Sequence, residues 1–234
     1  MEKANKAIIM AAGLGSRLAP VTNHIPKPMV EVNGVRMIDT IIDALHKNGI
    51  EEIHIVVGYL KDEFKKLNKK YFGLDFIENP YYDKYNNISS LYVAKDYISN
   101  AFIVDGDQII KNTEIFHPEF EKSGYCAAWT ENTNEWLMQV EDNTVTSCSR
   151  VGGDNGWQLY GLSMWTDEDG KKLRDLVIYE FERGNNSIYW DDVAMFEHFD
   201  KFDLGIRKIR HDDLMEIDNY EELIAVDKSY ILIS

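Results

Sequence analysis

Hydrophobic residues recur along the first half of the chain in two alternating patterns. Short, nearly continuous apolar runs, each typical of a strand buried on both faces, occupy residues 6–10, 53–57 and 101–104. Between the first two runs, apolar residues take the i, i+3, i+4 and i+7 positions of one helical face, namely Ile38, Ile41, Ile42 and Leu45. Strands that alternate with helices predict an α/β fold, with a mostly parallel sheet that carries helices on both faces.

The rest of the pattern predicts mixed helices and strands in the first half of the chain and mostly strands in the second half. Before residue 101 we expect a charged helix, a short strand and a helix capped by Asn87 or a nearby serine, at residues 61–70, 75–78 and 89–97. The second half is strand-rich, with predicted strands at residues 125–130, 136–140, 145–150, 159–165 and 204–209. Two helices are also predicted there, at residues 167–182 and 219–226.

These elements are expected to form a single domain over residues 1–234. An α/β core would lie mainly in residues 1–120, and a β-rich lobe mainly in residues 121–200. The apolar tail at residues 230–234 is expected to be an edge strand or the start of a further domain.

The composition and charge of the chain limit the classes of partner that it can bind. The 234 residues are 44% hydrophobic, which is enough for a sizeable core. The formal net charge of −15 argues against a nucleic-acid partner, because such binding needs clustered Lys and Arg, but it does not exclude a nucleotide ligand. Cys126 and Cys148 lack metal-ligand spacing, and no apolar run has the length of a signal core or membrane span. We therefore expect a cytoplasmic protein with reduced thiols and no membrane partner.

A glycine-rich string follows the first apolar run directly. It reads Ala11-Ala12-Gly13-Leu14-Gly15-Ser16-Arg17-Leu18, and Pro26-Lys27-Pro28 comes after a gap. Glycines after a buried strand let the backbone approach a ligand closely, and a nearby cation suits phosphate. A dinucleotide-binding loop would need a third glycine where Leu18 stands, and the P-loop string is absent. A glycine-rich turn with no ligand is the alternative that the string alone leaves open.

Two acidic sites could hold a metal ion. Asp105 and Asp107 follow the third apolar run, and in open α/β sheets ligands bind outside the carboxyl ends of the strands. Asp107 is therefore well placed for a hard cation such as Mg²⁺, while Asp105 is either structural or part of the ligand site. Asp191 and Asp192 follow Tyr189-Trp190. The alternatives are an Asp-Gly turn at the first site and a helix cap at the second.

The glycine string and Pro26-Lys27-Pro28 together resemble the signature of the sugar-nucleotide-type nucleotidyltransferases. Four further segments resemble a narrower group, the phosphocholine cytidylyltransferases and related aminoalkylphosphonate cytidylyltransferases. These segments are residues 85–92, 133–136 and 189–191 and the closing Glu216-Ile217-Asp218. The resemblance extends from residue 6 to residue 218. It implies a Rossmann-like, nucleotide-binding core and makes the β-rich lobe the acceptor-binding part.

The resemblance also implies roles for individual residues toward CTP. Arg17 would hold the triphosphate together with the backbone N–H groups of Gly13, Leu14, Gly15 and Ser16, and the nucleotide-binding residues would also include Ala11, Ala12 and Asp105. Lys27 would neutralise charge on the reacting phosphates, and Asn86 and Ser89 would select the nucleobase. Asp107 and Asp191 would clasp one Mg²⁺, the implied cofactor, between nucleotide and acceptor.

Aromatic residues beside carboxylates suggest an ammonium site. Trp136 follows Glu135, and Tyr189-Trp190 precedes Asp191 and Asp192. Aromatic faces near carboxylates attract an organic ammonium group through cation–π interaction. The alternative is that these rings belong to the core.

The sequence therefore predicts an enzyme that moves CMP from CTP onto a small ammonium-bearing phosphate or phosphonate and releases pyrophosphate. The acceptor would be phosphocholine or 2-aminoethylphosphonate. A sugar-1-phosphate nucleotidyltransferase is the alternative within the family, and a nucleotide-binding regulator without turnover is the alternative from another class. We also expect fusion to, or association with, another enzyme of the same pathway.

Overall fold

A computed structural model of the chain describes the backbone of residues 1–233 and the side chains of residues 1–231. The elements up to residue 120 are β1 (Glu2–Lys3), β2 (Lys6–Ala11), β3 (Glu31–Val32), β4 (Val35–Arg36), α1 (Met37–Lys47), β5 (Glu52–Val57), β6 (Leu74–Glu78), α2 (Ile88–Val93), β7 (Ala101–Asp105), β8 (Gln108–Ile110) and β9 (Glu119–Phe120). Those that follow are β10 (Gly124–Thr133), β11 (Leu137–Glu141), β12 (Thr144–Ser149), β13 (Gly153–Trp165), α3 (Asp167–Glu182), α4 (Trp190–Asp192), β14 (Gly205–Lys208), β15 (Leu214–Glu216) and α5 (Tyr220–Val226).

One large sheet organises the molecule. Its strand order is β12-β11-β13-β7-β2-β5-β6, and β10 pairs with both β13 and β14. Strands β7, β2, β5 and β6 run parallel, as the apolar runs predict. Strand β13 pairs antiparallel with β7, so the strand-rich second half extends the same sheet. The carboxyl ends of β2 and β7, which lie side by side, therefore meet at one edge of the sheet.

Helices cover both faces of this sheet, which confirms the predicted α/β class. Alternate residues of β2 point to opposite faces, as the two-residue period of a strand requires. Ile9 packs in the cluster that contains the buried stripe of α1, whereas Ile8 packs with Leu91 of α2 and Leu173 of α3. No helix in the described part of the chain is long and apolar enough to cross a membrane.

Three predicted elements differ in the structure. The charged helix is a 3₁₀ helix, Lys61–Lys69, whose repeat aligns i with i+3 and so buries Phe64 and Leu67 together. Helix α2 ends at Val93, and a separate 3₁₀ turn, Lys95–Tyr97, follows it. The tail is not an edge strand: Lys228–Ile233 is a 3₁₀ helix, and Ser234 lies outside the described residues.

Candidate active site

A pocket of about 560 Å³ opens at the sheet edge where β2 and β7 end. Predicted residues that line it are Ala11, Ala12, Gly13, Leu14, Gly15, Ser16, Arg17, Lys27, Asn86, Asp105, Asp107, Glu135, Trp136, Tyr189 and Asp191. The pocket also includes residues that sequence reasoning did not assign to the site, among them Tyr82, Asn87, Ser90, Leu159, Gly161, Glu216 and Asp218. Segments that are far apart in sequence therefore share one cavity.

The glycine loop is shaped by Gly15. This residue has φ +62°, in the left-handed region that favours glycine, and a side chain there would bring a Cβ within 2.8 Å of the Lys27 Cβ. The hydroxyl of Thr22 donates a hydrogen bond to the Gly15 carbonyl oxygen at 2.9 Å. The loop and the lysine segment thus pack directly against each other, because only glycine leaves room for the contact.

Lys27 is the buried cation of the pocket. It begins a short 3₁₀ helix, Lys27–Met29, and its side chain is only 9% exposed. Its Nζ lies 2.7 Å from Asp107 Oδ2 and 3.2 Å from Asp218 Oδ1. Burial acts to lower the pKa of Lys27, but the charges of Asp107 and Asp218 outweigh it and raise the pKa above its usual value. Lys27 is therefore charged and held in one position by two carboxylates.

Arg17 lies at the outer end of the same network. Its side chain is 70% exposed, and its Nη2 donates to Asp218 Oδ1 at 3.1 Å. Asp218 thus links the two cations that follow the glycine loop. Its side chain arrives from the turn after β15, almost two hundred residues further along the chain.

Carboxylates outnumber cations in the pocket. Among the residues that the structure describes, its lining contains two cations, Arg17 and Lys27, and six acidic residues: Asp105, Asp107, Glu135, Asp191, Glu216 and Asp218. Burial, and then the charge of Asp192, raise the pKa of Asp191 to about 7. Burial, and then the charge of Asp107, raise the pKa of Glu216 to about 7. This excess of negative charge favours the binding of ligands that carry a positive charge or are accompanied by a metal cation.

Two pairs of carboxylates are candidates for a metal. Asp107 and Asp191, the predicted pair, both line the pocket. Asp107 and Asp218 already share one cation, the Lys27 ammonium, so their oxygens can also meet around a metal ion. Among the described residues, no three His, Cys, Asp or Glu side chains are grouped as a complete metal site.

The aromatic wall of the pocket consists of Trp136 and Tyr189. Their rings lie edge to face, with centroids 6.0 Å apart, and Tyr189 is 49% exposed. Phe196 packs against Trp136 from behind, at 5.3 Å between centroids. Glu135 lines the pocket beside Trp136 and brings a carboxylate to the wall.

Trp190 is a core residue and does not belong to the predicted ammonium site. It is 2% exposed and lies among Tyr125 and Trp165, with ring centroids 6.2 and 6.3 Å away. Asp192, the other carboxylate predicted beside that site, is also buried, and its two oxygens accept bonds from Arg150 and from the Tyr189 N–H. Successive residues at the start of α4 point in different directions, so Tyr189 and Asp191 reach the pocket while Trp190 and Asp192 do not.

Ser89 is likewise displaced from its predicted role toward the nucleobase. It is 1% exposed, donates to the Asn86 carbonyl oxygen at 2.8 Å and accepts from Asn79 at 3.0 Å. The next residue, Ser90, lines the pocket together with Asn86 and Asn87. Ser90 is itself only 5% exposed and accepts from the same Asn79 at 3.0 Å, so these two neighbouring serines of α2 differ in whether they line the pocket and not in burial.

The raised pKa of Glu216 predicts a pH dependence of stability. Between its ordinary value of 4.5 and its folded value of about 7, the folded protein binds more protons than the unfolded chain, so stability falls as pH rises through this window. We expect the free energy of unfolding of the ligand-free protein to fall by roughly 1–3 kcal/mol from about pH 5 to about pH 8. Denaturant titrations would measure this, and Glu216→Gln should make the profile shallower, with part of the fall remaining because burial raises the pKa of Asp191 to about 7 as well. An equally steep profile in the variant would contradict the assignment.

The fold and the pocket define a nucleotidyltransferase, with a glycine loop, a buried lysine and a carboxylate cluster at the carboxyl edge of a parallel sheet. Residues 6–128 match the family described as nucleotidyl transferase, and the chain belongs to this family. The predicted resemblance is therefore confirmed.

Relatives that align with more than nine-tenths of the chain indicate a narrower group within the family. The chain is 38% identical to the 2-aminoethylphosphonate cytidylyltransferase of Lancefieldella rimae, over 98% of this chain and 94% of that protein. It is 33% identical to the choline-phosphate cytidylyltransferase of Streptococcus pneumoniae, over 93% of this chain and 94% of that protein. The solved structure of the CTP:phosphocholine cytidylyltransferase from Streptococcus pneumoniae matches it with a TM-score of 0.88 at 31% identity, covering 96% of this chain and 98% of that one.

Proposed function

We propose that this protein is a Mg²⁺-dependent cytidylyltransferase. It transfers CMP from CTP to a small phosphate or phosphonate that bears an ammonium group, and it releases pyrophosphate. The observation that carries the proposal is the pocket itself, where a glycine loop and a buried lysine adjoin a carboxylate cluster and an aromatic wall. The names of the two relatives support the nucleotide and the class of acceptor.

The chain supplies positioning and charge to the reaction. An acceptor oxygen attacks the α-phosphorus of CTP, a new P–O bond forms, and the bond to the bridging oxygen breaks, so pyrophosphate leaves with the electron pair. Lys27, held by Asp107 and Asp218, presents a fixed positive charge to the reacting phosphates. The glycine loop and Arg17 hold the triphosphate. Mg²⁺ on Asp107, with Asp191 or Asp218, would neutralise phosphate charge.

The nucleobase is proposed to lie against the start of α2. Asn86, Asn87 and Ser90 line the pocket there, and Tyr82 adds a ring. Amide and hydroxyl groups can both donate to and accept from the edge of cytosine. Ser89 is left out of this contact because it does not line the pocket.

The acceptor end favours a primary ammonium group, as in 2-aminoethylphosphonate. Such a group donates three N–H bonds, and Glu135, Asp191 and Glu216 offer carboxylate oxygens in the same pocket. Phosphocholine is the second candidate, because Trp136 and Tyr189 provide π faces for a quaternary ammonium. A sugar 1-phosphate is less suited, since a neutral sugar gains little from an excess of negative charge.

An acceptor screen tests the proposal. The purified protein would be incubated with CTP, Mg²⁺ and one of 2-aminoethylphosphonate, phosphocholine or glucose 1-phosphate, and released pyrophosphate measured. We expect turnover with an ammonium compound and little with the sugar phosphate. Faster turnover with glucose 1-phosphate would support the sugar-nucleotide alternative, and CTP binding without pyrophosphate release would support a regulatory protein.

Trp136→Ala is expected to raise the KM for the ammonium-bearing acceptor and to leave the KM for CTP nearly unchanged. The reason is that a cation–π contact of about 0.5–2 kcal/mol is lost at the acceptor end alone, which corresponds to a KM increase of roughly 2- to 30-fold. Steady-state kinetics with each substrate varied in turn would measure both constants.

Trp129 offers a matched control for this variant. It is 51% exposed, pairs with Trp157 at 5.6 Å between ring centroids, and does not line the pocket. Trp129→Ala should leave both KM values unchanged. If Trp136→Ala instead lowers the melting temperature strongly and affects both substrates equally, Trp136 serves the core and not the acceptor.

A further inference from the structure

Arg150 lies behind the aromatic wall, on the turn between β12 and β13, and joins two separate parts of the pocket. Its Nε donates to Asp192 Oδ1 at 2.8 Å, and its Nη2 lies 2.7 Å from the same oxygen. The guanidinium group also stacks over Phe196, at 3.6 Å from the ring centroid, and lies 5.9 Å from the centroid of Trp136. Arg150 does not itself line the pocket.

The partner of Arg150 determines how α4 begins. Asp192 is 5% exposed, its second oxygen accepts a bond from the Tyr189 N–H at 2.9 Å, and its own N–H donates to the Tyr189 carbonyl oxygen at 3.2 Å. Tyr189 and Asp191, on either side of the buried Trp190, are the two residues of this segment that face the pocket. The orientation of both therefore depends on Asp192 remaining buried and paired with Arg150.

The stacked partner of Arg150 supports the other half of the wall. Phe196 contacts the Trp136 ring nearly at a right angle, and Trp136 in turn contacts Tyr189. Arg150 thus contacts Phe196, which supports Trp136, through the flat face of its guanidinium group. Through its N–H groups it contacts Asp192, which supports Tyr189. A planar guanidinium can make both contacts at once, whereas a lysine ammonium cannot.

We infer that Arg150 is a positioning residue for the acceptor: it sets Trp136 and Tyr189 in their mutual orientation without touching the substrate. The inference rests on the proposed function, because it concerns the acceptor end of the same pocket. Losing Arg150 leaves a buried carboxylate without its cation and frees the start of α4. The acceptor should then bind in a poorer position, while the glycine loop and Lys27 remain in place for CTP.

Two variants and one control test this. Arg150→Met keeps the apolar stem and removes both contacts, and Arg150→Lys keeps the charge and loses the planar fork. Arg183→Met is the matched control, because Arg183 is 46% exposed, pairs with the buried Glu180 and approaches a Tyr179 ring, but does not line the pocket. Steady-state assays of each variant would give kcat, the KM for CTP and the KM for the acceptor, either phosphocholine or 2-aminoethylphosphonate. Thermal unfolding would give the melting temperature.

We expect Arg150→Met to raise the acceptor KM by roughly 2- to 30-fold, the range expected for losing a cation–π contact, with the CTP KM changed by less than about twofold, and Arg150→Lys to restore only part of the loss. Arg183→Met should lower the melting temperature and leave both KM values unchanged. An equal effect on the two substrates, no effect, or the same kinetic change in Arg183→Met would overturn the positioning role. A parent protein that is inactive with every ammonium acceptor would instead overturn the proposed function, and the inference with it.

Discussion

Lys27→Ala is expected to lower kcat by roughly 10²–10³ and to weaken CTP binding far less, because one preorganised charge is removed from the reacting phosphates. Lys27 is the buried cation of the pocket, and Asp107 and Asp218 hold it in place before any ligand arrives. Single-turnover rates would report the chemical step, and calorimetric titration of CTP would report binding.

Lys122 provides the control for this substitution. Its ammonium group also bonds a carboxylate, Asp203, at 2.8 Å, and its side chain is 25% exposed, but it lies outside the pocket. Lys122→Ala should retain parental turnover. If Lys27→Ala keeps the parental activity, the role of Lys27 is structural: it only neutralises the charge of the two neighbouring carboxylates, Asp107 and Asp218.

Asp107→Asn is expected to abolish Mg²⁺-dependent turnover while leaving the fold intact, since a neutral amide keeps the shape and loses the charge that a hard cation requires. Asp191→Asn is expected to do the same. Asp218→Asn tests the second pair that the structure reveals, because Asp218 shares a cation with Asp107. Turnover measured against Mg²⁺ concentration, with circular dichroism for the fold, would rank the three variants.

The three substitutions discriminate between the two metal pairs. A variant whose Mg²⁺ dependence equals that of the parent removes its residue from the metal site. Asp203→Asn serves as the control, because this carboxylate is 74% exposed and pairs with Lys122 away from the pocket. If Asp107→Asn itself keeps the parental Mg²⁺ dependence, neither pair holds the metal.

The parallel core and its glycine loop could be predicted from the sequence because their signals are local. The apolar run of β2, the helical stripe of α1 and the glycine string each lie within about a dozen residues, and each depends on the period or the conformational freedom of its own segment. Lys27 also follows from a local string, Pro26-Lys27-Pro28. The 3₁₀ character of Lys61–Lys69 could not be predicted, because two apolar residues three positions apart, Phe64 and Leu67, fit one face of an α-helix as well as of a 3₁₀ helix.

Within the site, neighbours in sequence were separated by the tertiary structure. Each step along a helix turns the side chain by about 100°, so Ser89 and Ser90 point in different directions, and Tyr189, which precedes α4 with an extended backbone, diverges from Trp190. The sequence alone does not show which of two neighbouring residues faces the pocket. At the start of α4 this is determined by the packing of Trp190 with Tyr125 and Trp165.

The sequence by itself determined the parallel strands, the helical stripe of α1, the glycine loop and the family, since these depend on residues that are close together in the chain. Only the tertiary structure decided which distant side chains meet. The pairing of Lys27 with Asp218 spans 191 positions, and that of Arg150 with Asp192 spans 42. Such contacts leave no local period, because an ion pair requires only that two charges end up within reach after the sheet has formed.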